Sequence, residues 1–259
     1  MADLICTLIL CMFVVLVATG YGVLAVLPKR AGNARLDGHG GILLGRGIME
    51  VAYKLFEPLV SLLFSLRVTP NMVTAFSLAP ALLSAALIAM GHFGVGALLA
   101  TGSGFCDMVD GMLARRCNSM SDVGELFDAA VDRYVEYFLL AGLIVYFRGS
   151  LLPLALCLGA VLGSFMVSYT TAKAEALGVV PPKSAMRRAE RAVYVVVGCS
   201  LAPIWELVVP GAHPVASISL GRELPVEIAL LVVAVVANVS AVRRMFRIAV
   251  LVRAKKPAA

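Results

Sequence analysis

The chain has 259 residues, 61% of them hydrophobic and 15% charged, with a formal net charge of +6. With a mean hydropathy of +0.94, it is excluded from the ordinary soluble domains and fits one polytopic, all-α integral membrane domain. In a soluble protein the positive balance would point to nucleic acid. Here the basic residues fall in short segments between apolar runs, so membrane lipids and no nucleic acid are expected as partners. The cysteines Cys6, Cys11, Cys106, Cys117, Cys157 and Cys199 contain no C-x-x-C pair. Most lie in apolar stretches, which predicts buried thiols rather than disulfides.

Residues 4–27 form an apolar run long enough to cross a bilayer and predict a first membrane helix. The start Met-Ala-Asp carries no basic residue and the run has no small-residue cleavage pattern, so a retained helix is expected rather than a signal peptide. A glycine-rich link flanked by Lys29, Arg30, Arg35 and Arg46 follows. From Ile48 to Leu66, Glu50, Lys54 and Glu57 are mixed with apolar residues and Pro58 interrupts the run, the composition of an amphipathic helix lying in the interface.

Thr69 can cap the next helix, Pro70 suits its first turn, and the apolar run reaches Met90. Further helices are predicted over Gly94–Arg116, Asp122–Phe147, Leu151–Ala176, Ala189–Val209 and Val226–Val252. Lys and Arg gather on alternate connections: Arg115 and Arg116, then Lys173, Lys183, Arg187, Arg188 and Arg191, then the tail from Arg243 to Lys256. That asymmetry places this face in the cytoplasm and the N-terminus outside, and the cell membrane is the expected location. The expected organisation is an N-terminal membrane helix and link over 1–47, followed over 48–259 by a six-helix transmembrane bundle with its interfacial helix. His39, His92 and His213 are scattered and receive no chemistry.

The least probable stretch is Cys106–Arg133, which holds five of the chain's seven aspartates, four of them, Asp107, Asp110, Asp128 and Asp132, in apolar surroundings. Ionisable groups are costly in a membrane segment and mark function. Asp107 and Asp110 are three apart, Asp128 and Asp132 four apart, so each pair lies on one face of its helix. Two antiparallel helices with the short link Cys117–Ser121 bring the pairs together near one membrane face. Converging carboxylates repel; a divalent cation relieves the conflict, and an all-oxygen set suits Mg²⁺ or Mn²⁺. Gly111, Ala114 and Gly124 leave small gaps beside the carboxylates, and Arg115 offers a forked cation for phosphate.

Written out, the stretch reads D-x2-D-G-x2-A-R-x8-G-x3-D-x3-D, met by Asp107, Asp110, Gly111, Ala114, Arg115, Gly124, Asp128 and Asp132. It strongly resembles the signature of the CDP-alcohol phosphotransferase family. The segment Thr69-Pro70-Asn71-Met72-Val73-Thr74 is similar to the PNxxT-like start of the first family helix. The resemblance covers about residues 48–252, with the span at 4–27 an addition. It implies a metal-dependent phosphatidyltransferase of phospholipid biosynthesis that uses CDP-diacylglycerol and works as a homodimer. By that resemblance Asp107, Asp110, Asp128 and Asp132 hold metal, Asp132 is also the catalytic base, and Pro70, Asn71, Met72, Val73, Gly111, Ala114, Arg115 and Ser121 hold the CDP-lipid.

Within the family, S-Y-T-T-A-K-A-E followed by R-A-E-R is most similar to the phosphatidylinositol-phosphate and archaetidylinositol-phosphate synthase branch. That implies a phosphorylated alcohol, inositol phosphate first and glycerol 3-phosphate second, held by Lys173, Arg191 and Arg244. Thr171 stands where that branch carries a basic residue, and Lys173 where it carries an arginine. A cation transporter would also use membrane carboxylates, but near the midplane between broken helices and internal repeats, which this sequence lacks.

Overall fold

The computed structural model describes residues 1–13, 46–119, 121–209 and 223–255, with the backbone alone for 46–52. These residues form α1 Ala2–Phe13, α2 Arg46–Ser65, α3 Pro70–Ala89, α4 Phe93–Cys117, α5 Asp122–Tyr146, a 3₁₀ turn Phe147–Gly149, α6 Leu151–Ala176, α7 Arg188–Val208 and α8 Leu224–Lys255. No strand occurs among the described residues. Most of the expected span at 4–27, the glycine-rich link, His39 and the loop with His213 lie outside them; α1 is the part of that span which is described.

Four helices, α3, α6, α7 and α8, are long and apolar enough to cross a membrane. Helices α4 and α5, at 25 residues each, are long enough too. Their hydropathy is lowered by the carboxylates they carry. Pro58 lies inside α2 rather than ending it; it deletes one backbone donor, and the helix continues to Ser65. Thr69 is the extended residue before α3, but its side chain makes no capping bond, and Pro70 supplies the start. Ser121 does cap, its Oγ accepting the Gly124 N–H at 3.1 Å.

Six helices close into a ring. Helix α3 packs on α4 and α5, α4 also on α7, α7 on α8, α8 on α6, and α6 back on α5. Lipid tails are as apolar as leucine, so such a ring is held by close approach and inter-helix hydrogen bonds rather than by burial from water. Gly142 shows the approach: a Cβ there would stand 2.6 Å from the Ala85 carbonyl oxygen, so α5 meets α3 backbone to backbone. The bonds include Ser84 Oγ to Gly96 O at 2.7 Å, Ser103 Oγ to Ser77 O at 2.9 Å and Asn238 Nδ2 to Gly159 O at 2.8 Å. Each contributes about 0.6 kcal/mol in a membrane setting.

Around these contacts Ile88, Phe93, Leu143, Cys157, Cys199 and Leu230 form the main core. A second cluster, Val60, Val73, Val109, Met112 and Leu113, fastens α2 across α3 and α4. At the other end of α4, the Asp3 carboxylate accepts the Val95 N–H at 3.1 Å and meets His92 Nδ1 at 3.1 Å, docking α1.

Candidate metal and phosphate site

Helices α4 and α5 are joined by a short link yet touch only sparingly, because α3 packs against both. The gap between them holds the aspartates. Asp107, Asp110 and Asp128 each present a carboxylate oxygen, all within 4.8 Å of one another. Asp110 is 6% exposed and receives the Thr74 hydroxyl on Oδ2 at 2.6 Å. The Oδ1 atom of Asp128 is buried with no hydrogen-bond partner. A buried oxygen of an acid without a donor is costly unless a cation serves it. The all-oxygen triad and this orphaned atom therefore fit a hard divalent ion.

Asp132 stands one turn beyond Asp128 and is engaged by Arg188, whose Nη1 meets its Oδ1 while Nη2 bonds Asp107 Oδ2 at 2.7 Å. Arg188 opens α7, the end where a helix dipole disfavours a cation by about 0.3–1 kcal/mol, and the two carboxylates offset that cost. One guanidinium bridging Asp107 and Asp132, with Arg133 also acting on Asp128 and Asp132, leaves the four carboxylates in excess of their cations. The Glu190 carboxylate accepts the Arg187 N–H at 2.8 Å and so caps the same helix start.

Pro70, Asn71 and Ser121 line a cavity of about 620 Å³ together with Phe64, Arg67 and Cys117, and none of the four aspartates lines it. This is within the usual range for a small-molecule site. A Cβ at Gly124 would come 3.2 Å from Ser121 Oγ and 3.8 Å from Asn71 Oδ1, so the glycine keeps this side open. A Cβ at Gly111 would meet Arg115 alone, at 3.6 Å. Arg115 is exposed, donates to the Tyr53 hydroxyl at 3.1 Å and lies over its ring. Ala114 is half-buried, Met72 faces outward, and Val73 belongs to the α2–α3–α4 cluster.

The three basic residues assigned to an acceptor phosphate have different surroundings. Lys173 is exposed near the end of α6. Arg191 is 2% exposed, with Nε and Nη2 on the two oxygens of Glu136 at 2.7 and 3.0 Å and Nη1 on Met186 O at 3.3 Å. Arg244 is 5% exposed; Nη2 donates to Thr171 Oγ1 at 2.8 Å, and Nε is buried without a partner. Sequence reasoning passed over Thr74, Glu136 and the role of Arg188. Signals for all three were present. Thr74 closes the PNxxT-like segment, Glu136 continues the four-residue ladder of Asp128 and Asp132, and Arg188 shares a face with Arg191.

A helical membrane protein with a carboxylate triad and a bridging arginine fits the class of metal-assisted phosphoryl-transfer scaffolds. The chain belongs to the CDP-alcohol phosphatidyltransferase family, whose model matches residues 67–239. It is 33% identical over 151 residues to an uncharacterised protein of Aquifex aeolicus, covering 58% of this chain and 77% of that one. It is 28% identical over 200 residues to the phosphatidylinositol phosphate synthase of Mycobacteroides abscessus, covering 76% and 84%. Among solved structures, phosphatidylinositol phosphate synthase of Mycobacterium tuberculosis with CDP-DAG bound matches with TM-score 0.66 at 22% identity, covering 80% of this chain and 99% of that one. The same enzyme is known in complex with manganese and citrate, and matches at TM-score 0.66 and 23% identity, covering 78% and 92%.

Proposed function

We propose that this chain transfers the phosphatidyl group of CDP-diacylglycerol to a phosphorylated alcohol, inositol phosphate, and releases CMP. The observation that carries this reading is the Asp107–Asp110–Asp128 triad with its orphaned Asp128 oxygen, inside a family whose relatives include phosphatidylinositol phosphate synthases. Asp107, Asp110, Asp128 and Asp132 hold Mg²⁺ or Mn²⁺, which when bound supplies the positive charge that offsets the donor's pyrophosphate. Pro70, Asn71 and Ser121 take the cytidine side of the donor in the cavity, with Met72, Val73, Gly111, Ala114 and Arg115 forming the rest of that site.

The acceptor hydroxyl oxygen bonds to the β-phosphorus as the bond from that phosphorus to CMP breaks, and Asp132 takes the hydroxyl proton. Lys173, Arg191 and Arg244 hold the acceptor's phosphate, and the unpartnered, buried Nε of Arg244 is the feature that most calls for an anion. Glycerol 3-phosphate presents the same phosphate and is the second acceptor to test.

The supporting arrangement is a homodimer in the cell membrane, with six spans from α3 to α8, α2 in the interface, and α1 as the start of an added N-terminal segment ending near residue 47. The basic ends of α4, α6 and α8 and the start of α7 would face the cytoplasm. The deciding experiment supplies labelled CDP-diacylglycerol and Mn²⁺ to the purified chain with inositol phosphate, glycerol 3-phosphate, free inositol or serine. A labelled phosphatidylinositol phosphate product supports the reading; a product with free inositol or serine alone overturns the acceptor assignment.

A further inference from the structure

Two hydrogen-bonded networks flank the carboxylates, the first reaching Asp110 through Thr74 and the second starting at Glu136, one turn beyond Asp132. On the donor side, α2, α3 and α4 are tied by Tyr53 to Arg115, Glu57 and Ser61 to Arg116, and Thr74 to Asp110. On the other side, Glu136 of α5 grips Arg191 of α7, whose Nη1 reaches Met186 O. Ser184 Oγ donates to the same carbonyl at 2.8 Å and lies 3.2 Å from Ser240 Oγ of α8, which also accepts the Ala185 N–H at 3.0 Å. One turn further along α8, Arg244 reaches Thr171 of α6. The second network thus passes through every element that carries an acceptor residue.

Its span is unusual. In the ring α5 packs on α3 and α6, while α7 packs on α4 and α8, so α5 and α7 are not packed neighbours. Arginine side chains bridge them instead: Arg188 to Asp132 and Arg191 to Glu136. The first pair is reactive and partly exposed; the second is nearly dry, at 2% and 8% exposure. A buried guanidinium needs a paired acid, yet such a pair is weak as a stabiliser, since apolar replacements of both partners are often neutral. What a bidentate pair fixes is orientation. Of the five N–H groups on Arg191, Glu136 takes two and Met186 one, leaving one on each terminal nitrogen.

We propose that Glu136 is a positioning residue for the acceptor: through Arg191 it fixes the 184–186 segment and the start of α7, and aims the remaining Arg191 N–H groups at the acceptor's phosphate. The proposal rests on the acceptor reading above. The donor network lies outside its reach.

The test uses the full chain in lipid nanodiscs with Mn²⁺, CDP-diacylglycerol and inositol phosphate. Glu136→Gln keeps the shape and removes the charge; the acceptor KM is expected to rise about tenfold or more, as for a lost charged hydrogen bond, with the CDP-diacylglycerol KM unchanged. Arg191→Lys keeps the charge without the fork and should not behave as wild type. The double variant Glu136→Met with Arg191→Met removes the buried charge problem, so it should fold with a wild-type Tm and still show the raised acceptor KM. If that double variant recovers the wild-type acceptor KM, or if Glu136→Gln moves both KM values together, the pair is a packing element and the proposal is overturned. A wild-type chain that turns over CDP-diacylglycerol with no phosphorylated alcohol sinks the functional reading and this one with it. A wild-type product with an unchanged acceptor KM in Glu136→Gln sinks the positioning role alone.

Discussion

The Thr74 hydroxyl donates to Asp110 Oδ2 at 2.6 Å, joining the first turn of α3 to the carboxylate end of α4 across 36 positions of sequence. The same oxygen lies 3.1 Å from Pro70 O, so the opening of α3 and the most buried aspartate of the triad share one group. The Pro-Asn-x-x-Thr segment is therefore more than a helix start. It holds an oxygen of the carboxylate triad from outside the eight-residue signature, as an outer partner would orient a proposed metal ligand.

Thr74→Val keeps the shape and deletes the donor. Removing a hydrogen bond to a charged group costs about 1.5–3 kcal/mol, so the Mn²⁺ concentration for half-maximal activity should rise about tenfold or more. Thr74→Ser should restore it. A metal titration identical to wild type would show that Asp110 needs no outer partner.

Removal of metal should abolish CMP release from CDP-diacylglycerol, and Mn²⁺ or Mg²⁺ should restore it, because three carboxylate oxygens converge within 4.8 Å and Arg188 bonds only Asp107 among them. Asp128→Asn should weaken Mn²⁺ binding measured directly by electron paramagnetic resonance. Turnover that persists in EDTA-stripped nanodiscs would discard the metal assignment.

Asp132→Asn should lower kcat by about 10²–10⁴-fold, the usual contribution of a positioned base. Binding of CDP-diacylglycerol should largely survive, since Asp107, Asp110 and Asp128 keep the triad. The change also leaves Arg188 with Asp107 as its remaining carboxylate partner. Near-normal kcat would move the base elsewhere.

Arg244→Ala should raise the acceptor KM far more than the donor KM, by about tenfold or more for a charged hydrogen bond. The buried Nε has no hydrogen-bond partner among the described residues, which is what the proposed anion would supply. An acceptor KM indifferent to this change, measured alongside Lys173→Ala, would reduce both residues to topology signals.

The helices could be read from the chain within a few residues, because apolar runs punctuated by Pro70, Ser121 and basic turns carry their own boundaries. The convergence of Asp107, Asp110 and Asp128 was equally legible, since three- and four-residue spacings on adjacent helices leave few arrangements. The order around the ring was not. Faces of α3, α6 and α8 are apolar on all sides, and a helix that faces lipid and one that faces a neighbour then look alike in sequence. The sparing contact of α4 with α5 also went unforeseen, as a short link implies packing and says nothing of α3 lying against both. The same ignorance hid the partner of Glu136: the four-residue ladder puts it on the aspartate face, but nothing local shows that it meets Arg191.

Gly142 sets a dimension for the whole assembly. With no room for even a methyl group against Ala85, it fixes the α3–α5 axial separation near the C-terminal ends of both helices. Asp132 lies about 15 Å down the same helix at 1.5 Å per residue. Because α3 stands between α4 and α5, widening the α3–α5 joint would move the α5 carboxylates away from those of α4. The spacing of Asp128 from Asp107 and Asp110 is thus gauged by a residue that has no side chain.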